Sequence, residues 1–155
     1  MLMPTLDDVF RKFGETAEAA QLLETEVGNL LMMARCIDAG LLENKNPSLA
    51  GDILDSVNRQ TLGQLLKSVN NHLHSLDSLD SLLTEARNGR NRLSHSFYRA
   101  HNFRRNSDEG RTLMLTDLDT IHSKLLLAYK AILALSGVDL DAVAEMQLPK
   151  DHLPI

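Results

Sequence analysis

Apolar positions in this chain recur every three or four residues almost from end to end, and no strand-length run alternates. In ETAEAAQLLETEVGNLLMMARCIDAGLL, residues 15–42, one stripe carries Ala20, Leu23, Val27, Leu30, Leu31, Ala34 and Ile37. That spacing predicts a long amphipathic helix of about six turns, with Thr16 as its N-cap and Gly40 as its C-cap. A shorter helix, roughly Leu6 to Phe13, is expected before it, with Gly14 at the join. The turn formers of ENKNPSLAGD, residues 43–52, read as a loop, and a short helix around Leu54 follows.

A third stripe begins after Thr61 with Leu62, Leu65, Leu66, Val69, Leu73 and Leu76, and continues through Leu79, Leu82, Leu83 and Ala86. It predicts either one very long helix or two, broken near the serines and aspartates of HSLDSLDSLL. NSDEG, residues 106–110, reads as a turn. A last helix lies within TDLDTIHSKLLLAYKAILALSG, with Thr116 as N-cap, Gly137 as C-cap and a wide apolar side from Leu118 to Leu133. The expected fold is all-α, an antiparallel bundle of four to five helices in one domain spanning residues 1–155. Its core covers about 5–137, and the tail, 138–155, is thin in packing residues and free to wrap loosely or to meet a partner chain.

Composition narrows the chemistry. At 155 residues and 43% hydrophobic, the chain can bury an ordinary core without staples. The lone Cys36 cannot form an internal disulfide and reads as a small buried hydrophobe, which with six methionines suits a reducing cytoplasm. No basic stretch leads into an apolar one at the start, and no run approaches 18 apolar residues, so neither export nor membrane insertion is expected. There is no phosphate loop, dinucleotide turn or nucleophile elbow, and carboxylates and cysteines do not cluster, so no cofactor and no metal is expected. On a helix His72 and His74 point about 200° apart, which is no metal pair. His122 reads as structural.

Charge is concentrated. The net charge is -5, yet Glu85 to Arg111 holds seven arginines against three carboxylates, a local +4 that leaves -9 for the rest. An acidic body discourages nonspecific coating of long duplexes, whereas a local arginine cluster can still hold a phosphate or a structured RNA. Within ARNGRNRLSHSFYRAHNFRR, residues 86–105, helical spacing puts Ala86, Gly89, Leu93, Phe97 and Ala100 on a core face, with Gly89 admitting a close neighbour. Asn88, Asn91, His95, Tyr98, Arg99 and Asn102 fall opposite. Solvated helix faces usually carry Lys and Glu, and this stripe has neither. Asn and His are mediocre helix formers, so something other than helix propensity selects them. Arg90 sits about 140° from His95 on an unbroken helix. Either the helix breaks at Asn88-Gly89, or Arg90 lays its stem along apolar surface and delivers its guanidinium at an interface.

The run Arg90-Asn91-Arg92-Leu93-Ser94-His95 resembles the motif of the HEPN superfamily, an Arg followed by four to six residues and a His, usually with a polar residue directly after the Arg. The likeness extends over about residues 10–135, through AQLLETEVGNLL and RQTLGQLLKS to ARNGRNRLSHSFY. It implies a helical bundle and, in catalytic members, a metal-independent endoribonuclease whose site forms where two protomers meet. Carried onto this chain, His95 would be general base on the ribose 2′-OH or general acid toward the leaving 5′-oxygen. Arg90 would hold the scissile phosphate, and Asn91 would orient the imidazole or bind the phosphate. Arg92, Arg99, Tyr98, Asn88 and His101 are the further phosphate-binding candidates.

The resemblance thus implies a homodimer, an RNA substrate and a bacterial toxin or defence role. Some members act beside a small nucleotidyltransferase antitoxin that modifies a tyrosine two residues after the His. Phe97 stands at that position and Tyr98 follows, so the likeness carries the Arg-His chemistry further than this regulation. The alternative reading is a non-catalytic helical module that binds a nucleotide, an RNA or a protein in the same cleft.

Overall fold

The computed structural model describes residues 2–72, 77–147 and 150–151. Among these, every regular element is helical: α1 (Leu6–Asp38), α2 (Pro47–Asn58), α3 (Leu62–His72), α4 (Asp77–His95), α5 (Phe97–His101), a 3-10 turn (Asn102–Asn106), α6 (Asp108–Leu135) and α7 (Leu140–Ala144). Whether the third stripe is one helix or two turns on residues 73–76, which lie outside the described residues, as does His74.

The helix starts differ from those expected, for one reason. Thr5, not Thr16, caps α1: its hydroxyl accepts the Asp8 N–H at 3.2 Å while the Asp8 carboxylate accepts the Thr5 N–H at 2.8 Å. From this reciprocal cap α1 runs unbroken through Gly14, so there is no join. Thr16 is buried inside the helix, its hydroxyl donating to the Lys12 carbonyl at 2.7 Å. Thr116 does the same toward the Thr112 carbonyl at 3.0 Å, and α6 starts earlier, at Asp108, capped by Ser107. A hydroxyl that bonds back four residues is satisfied without ending a helix. The expected 43–52 loop is likewise cut short, because Asn46 caps α2 and Pro47 opens it. At the other ends Gly40 (φ 68°) and Gly137 (φ 78°) take the left-handed conformation just past Ala39 and Ser136. The tail contains α7, which Lys130 reaches through Asp141 at 2.8 Å.

Three cross-links set the direction of the two longest helices. Arg111 donates to the Pro4 carbonyl at 2.6 Å, Lys12 pairs with Asp119 at 2.9 Å, and Ser136 donates to Glu26 at 3.2 Å. Positions ascend together, so α1 and α6 are parallel, unlike the antiparallel order expected throughout. In contrast α4, continued by α5, runs against both, with Arg90 of α4 on Glu24 and Phe97 of α5 on Phe13 of α1, and Glu85 on Lys124 and Arg92 on Asp117 of α6. The core between them is built from Leu23, Val27 and Leu31 of α1, Leu62, Leu65 and Leu66 of α3, Leu83, Ala86 and Leu93 of α4, and Leu118, Ile121, Leu125 and Ile132 of α6. Each fully buried Leu or Ile contributes about 1.5–3 kcal/mol. Gly89 lets α4 approach α6, since a Cβ there would meet Ile121 Cγ2 at 3.2 Å. Ile37, at the end of the expected α1 stripe, lies beyond the core and is 54% exposed, and Cys36 is half-buried with a free thiol.

Candidate functional site

The last two turns of α4 and the short α5 carry the site candidates, and the local fold sorts them into groups. Helix α4 passes Asn88-Gly89 without a break and stops at His95; Ser96 (φ -142°) interrupts it and α5 resumes at Phe97. Up to that break the faces follow helical spacing. Ala86, Gly89 and Leu93 are buried, and Phe97 is buried too, whereas Ala100 is exposed because α5 is turned relative to α4.

The first group lines a shallow open groove: Asn88, Asn91, Arg92, His95, Ser96 and Arg99. His95 is exposed, and no group among the described residues bonds to its ring. Arg99 is exposed and has no carboxylate partner among them either. Asn88 and Asn91 stand on the same side, each offering an amide that can both donate and accept.

Arg90 forms the second group, at the contact between α4 and α1. Of the two alternatives, the long stem is the one adopted. Its Nε donates to Glu24 Oε1 at 2.9 Å and its Nη1 donates to Asn91 Oδ1 at 3.3 Å, with both Arg90 and Glu24 half-buried. The guanidinium therefore does not line the groove itself. It is joined to the groove through Asn91, one helical turn before His95.

The third group lies behind α4. His101 is only 5% exposed, its ring 4.6 Å from that of Phe97. Its Nε2 meets Asp117 Oδ2 at 2.8 Å, and Asp117 also accepts from Arg92 Nη2 at 2.6 Å. Arg104 Nη1 lies 3.1 Å from His101 Nδ1; an arginine only donates, so Nδ1 accepts and the Nε2 hydrogen goes to Asp117. Arg92, Asp117, His101 and Arg104 form a relay that ties α4, α6, α5 and the 3-10 turn together. Partial burial pushes the Asp117 carboxyl up, but hydrogen bonds from His101 and Arg92, together with the positive charge of Arg92, outweigh it and hold the group below the usual carboxylate range. With both ring nitrogens engaged, His101 has none to offer a phosphate. Arg92 belongs to both groups, lining the groove while anchored on Asp117.

Tyr98 leaves the polar stripe altogether. It packs 5.1 Å from the Phe13 ring and edge-on to Phe97 at 5.2 Å, and burial raises its hydroxyl above the ordinary tyrosine value against the opposing charge of Arg105. Asn102 leaves it too, at φ 47° where α5 passes into the 3-10 turn. His122 sits apart, its Nδ1 2.9 Å from Lys12 Nζ, and desolvation followed by the Lys12 charge lowers its pKa.

No family model, curated protein or solved structure matches this chain. What the groove does is therefore read from its own residues. Among the described residues no helix is long and apolar enough to cross a membrane, and no three His, Cys, Asp or Glu side chains are grouped to hold a metal ion. The groove offers one unengaged imidazole for proton transfer, two amides, and two guanidiniums to meet an anion. Glu24, Asp117 and Arg104 complete the picture, and periodicity did not single them out. Asp117 lies in the third turn of α6, and neither it nor Glu24 carried a local signal of its partner.

Proposed function

We propose that this chain is a metal-independent endoribonuclease of the HEPN type, a helical bundle that acts as a homodimer with one composite site. The observation that carries the reading is the surroundings of His95: exposed, without a partner among the described residues, and one turn from an Asn91 that receives Arg90. An imidazole left free in an open groove suits proton transfer to and from a bound polymer. In the reaction, one His95 removes the proton of a ribose 2′-OH and the 2′-oxygen attacks the adjacent phosphorus. The 5′-oxygen leaves with a proton from the partner subunit's His95. The products are a 2′,3′-cyclic phosphate and a 5′-hydroxyl. Nη2 of Arg90, engaged by nothing among the described residues, and the guanidinium of Arg99 offset charge on the phosphoryl oxygens. Such an enzyme fits a bacterial cytoplasmic toxin or defence effector held in check by an antitoxin.

One observation favours a second reading. The Arg90–Glu24 ion pair satisfies the Nε edge of the guanidinium within the chain, as a non-catalytic module that merely binds a nucleotide, an RNA or a partner would allow. Incubation with a structured RNA in the presence of a chelator separates the two. Wild type is expected to release fragments ending in 2′,3′-cyclic phosphate, and His95→Ala and Arg90→Ala to be slower by about 100-fold or more. RNA that stays intact with wild type selects the binding module.

A further inference from the structure

The chain has four phenylalanines, two tyrosines and no tryptophan. Phe13, Phe97 and Tyr98 meet in one corner, and Phe103 lies on the adjoining 3-10 turn, whose Arg105 reaches the Phe10 ring. Phe10 and Phe13 lie on the first turns of α1, Phe97 and Tyr98 on α5, and Phe103 on the 3-10 turn. Three of them pack together: Phe13 and Phe97 meet at 5.6 Å, and Tyr98 lies 5.1 Å from Phe13 and 5.2 Å from Phe97. Tyr98 still keeps 38% of its surface exposed, Phe10 46% and Phe103 76%. Arg105 lies over the Phe10 ring, 5.9 Å from its centroid, and neither Arg105 nor Arg99 has a carboxylate partner among the described residues.

Phe103 is not exposed because its segment is loose. Asn102 holds φ 47°, a conformation that costs a non-glycine residue free energy and persists only where the surroundings impose it. Here they do. Arg104 is tied to the buried His101, the Arg105 carbonyl accepts from Arg111 at 2.9 Å, and the Arg104 carbonyl accepts from Ser107 at 3.3 Å. Gly110 packs so closely beneath the turn that a Cβ there would collide with the Arg104 carbonyl. A strained, firmly held turn thus holds a phenylalanine out in water, directly before Arg104 and Arg105 in the chain.

We propose that Phe103, Phe10 and Tyr98, with Arg99 and Arg105, form a stacking site for unpaired bases of single-stranded RNA beside the His95 groove. Unpaired bases have exposed π-faces that stack on aromatic rings and guanidinium planes, whereas a duplex keeps them hidden. The positive charge of the segment supplies the contacts to the phosphates between those bases. The inference rests on RNA being the substrate, and it assigns specificity for single-stranded segments to this corner.

Because the chain has no tryptophan, Phe103→Trp installs a sole indole reporter at the site. The probe is a ten-nucleotide oligouridylate, with a blunt RNA duplex of equal length as control, and binding is measured in a His95→Ala background so that cleavage does not intrude. The oligouridylate is expected to quench the indole emission and the duplex to leave it unchanged. Phe103→Ala is expected to weaken oligouridylate binding about 5- to 50-fold. Arg99→Ala and Arg105→Ala should each lower the slope of log affinity against log salt by about 0.7. Equal affinity of Phe103→Ala and its parent overturns the proposal, as does equal quenching by duplex and single strand. A fall in particle mass for Phe103→Ala on sedimentation, with RNA affinity unchanged, identifies the patch as a self-association surface and overturns it too. Loss of metal-free cleavage is read in a separate assay on the chain with His95 intact, so the nuclease reading and the stacking site fail independently.

Discussion

His95 and His101 stand six residues apart on either side of the Ser96 break, and their surroundings are opposite. His95 closes α4 with its ring in an open groove and nothing among the described residues bonded to it. His101 closes α5 with its ring against Phe97 and both nitrogens engaged, by Asp117 and Arg104. The same side chain serves as a reagent in one place and as a joint in the other. What separates them is helical spacing: six residues place the two rings about 240° apart, and His101, four residues after the buried Phe97, faces the interior and meets α6.

The sharpest way to break this comparison is to delete each ring. His101→Ala removes packing from Phe97 and leaves Asp117 and Arg104 short of a partner, and is expected to cost about 3 kcal/mol, or roughly 6–12 °C in Tm for a chain of this size. Thermal unfolding by circular dichroism measures it, and a shift as small as that of an exposed-site variant would mean that the relay is decoration. A smaller effect is expected from Asp117→Asn, which keeps the shape and removes the charge. The Asp117 carboxyl titrates lower in the folded chain than in the unfolded one, where about 3.9 is usual. Its stabilising contribution is therefore complete above the unfolded value and disappears as pH falls through the folded one. In urea titrations wild type should exceed Asp117→Asn by about 1 kcal/mol at pH 7, and the gap should close below about pH 4. A gap independent of pH would assign the difference to shape alone. Smallest of all is the stability change for His95→Ala, expected within about 0.5 kcal/mol of wild type on the same urea curves, although activity falls. A large loss there would place His95 in the framework and remove the contrast.

The two histidines also mark how far the sequence can be read. Helical spacing found the buried side of α4, Ala86, Gly89 and Leu93, and the polar side, Asn88, Asn91 and His95, because both follow from 100° per residue within one continuous helix. It failed for Ala100 and Tyr98, which lie past Ser96, where the phase resets without a Gly or Pro to announce it. Thr16 and Thr116 look like caps because a threonine before acidic residues is the usual sign of one, yet each bonds back to the preceding turn. Arg90–Glu24 and His101–Asp117 join residues 66 and 16 positions apart. No local pattern encodes such pairs; they follow from which helix packs on which.

The parallel pairing of α1 and α6 carries a cost in time. The hydrogen bonds that align them, Arg111 to Pro4 and Ser136 to Glu26, span 107 and 110 residues. A ribosome adding about 5–20 residues per second needs roughly 5–20 s to cover that distance. For that interval α1 waits with Leu23, Val27 and Leu31 uncovered by their last partner, so this core cannot close until α6 has been made.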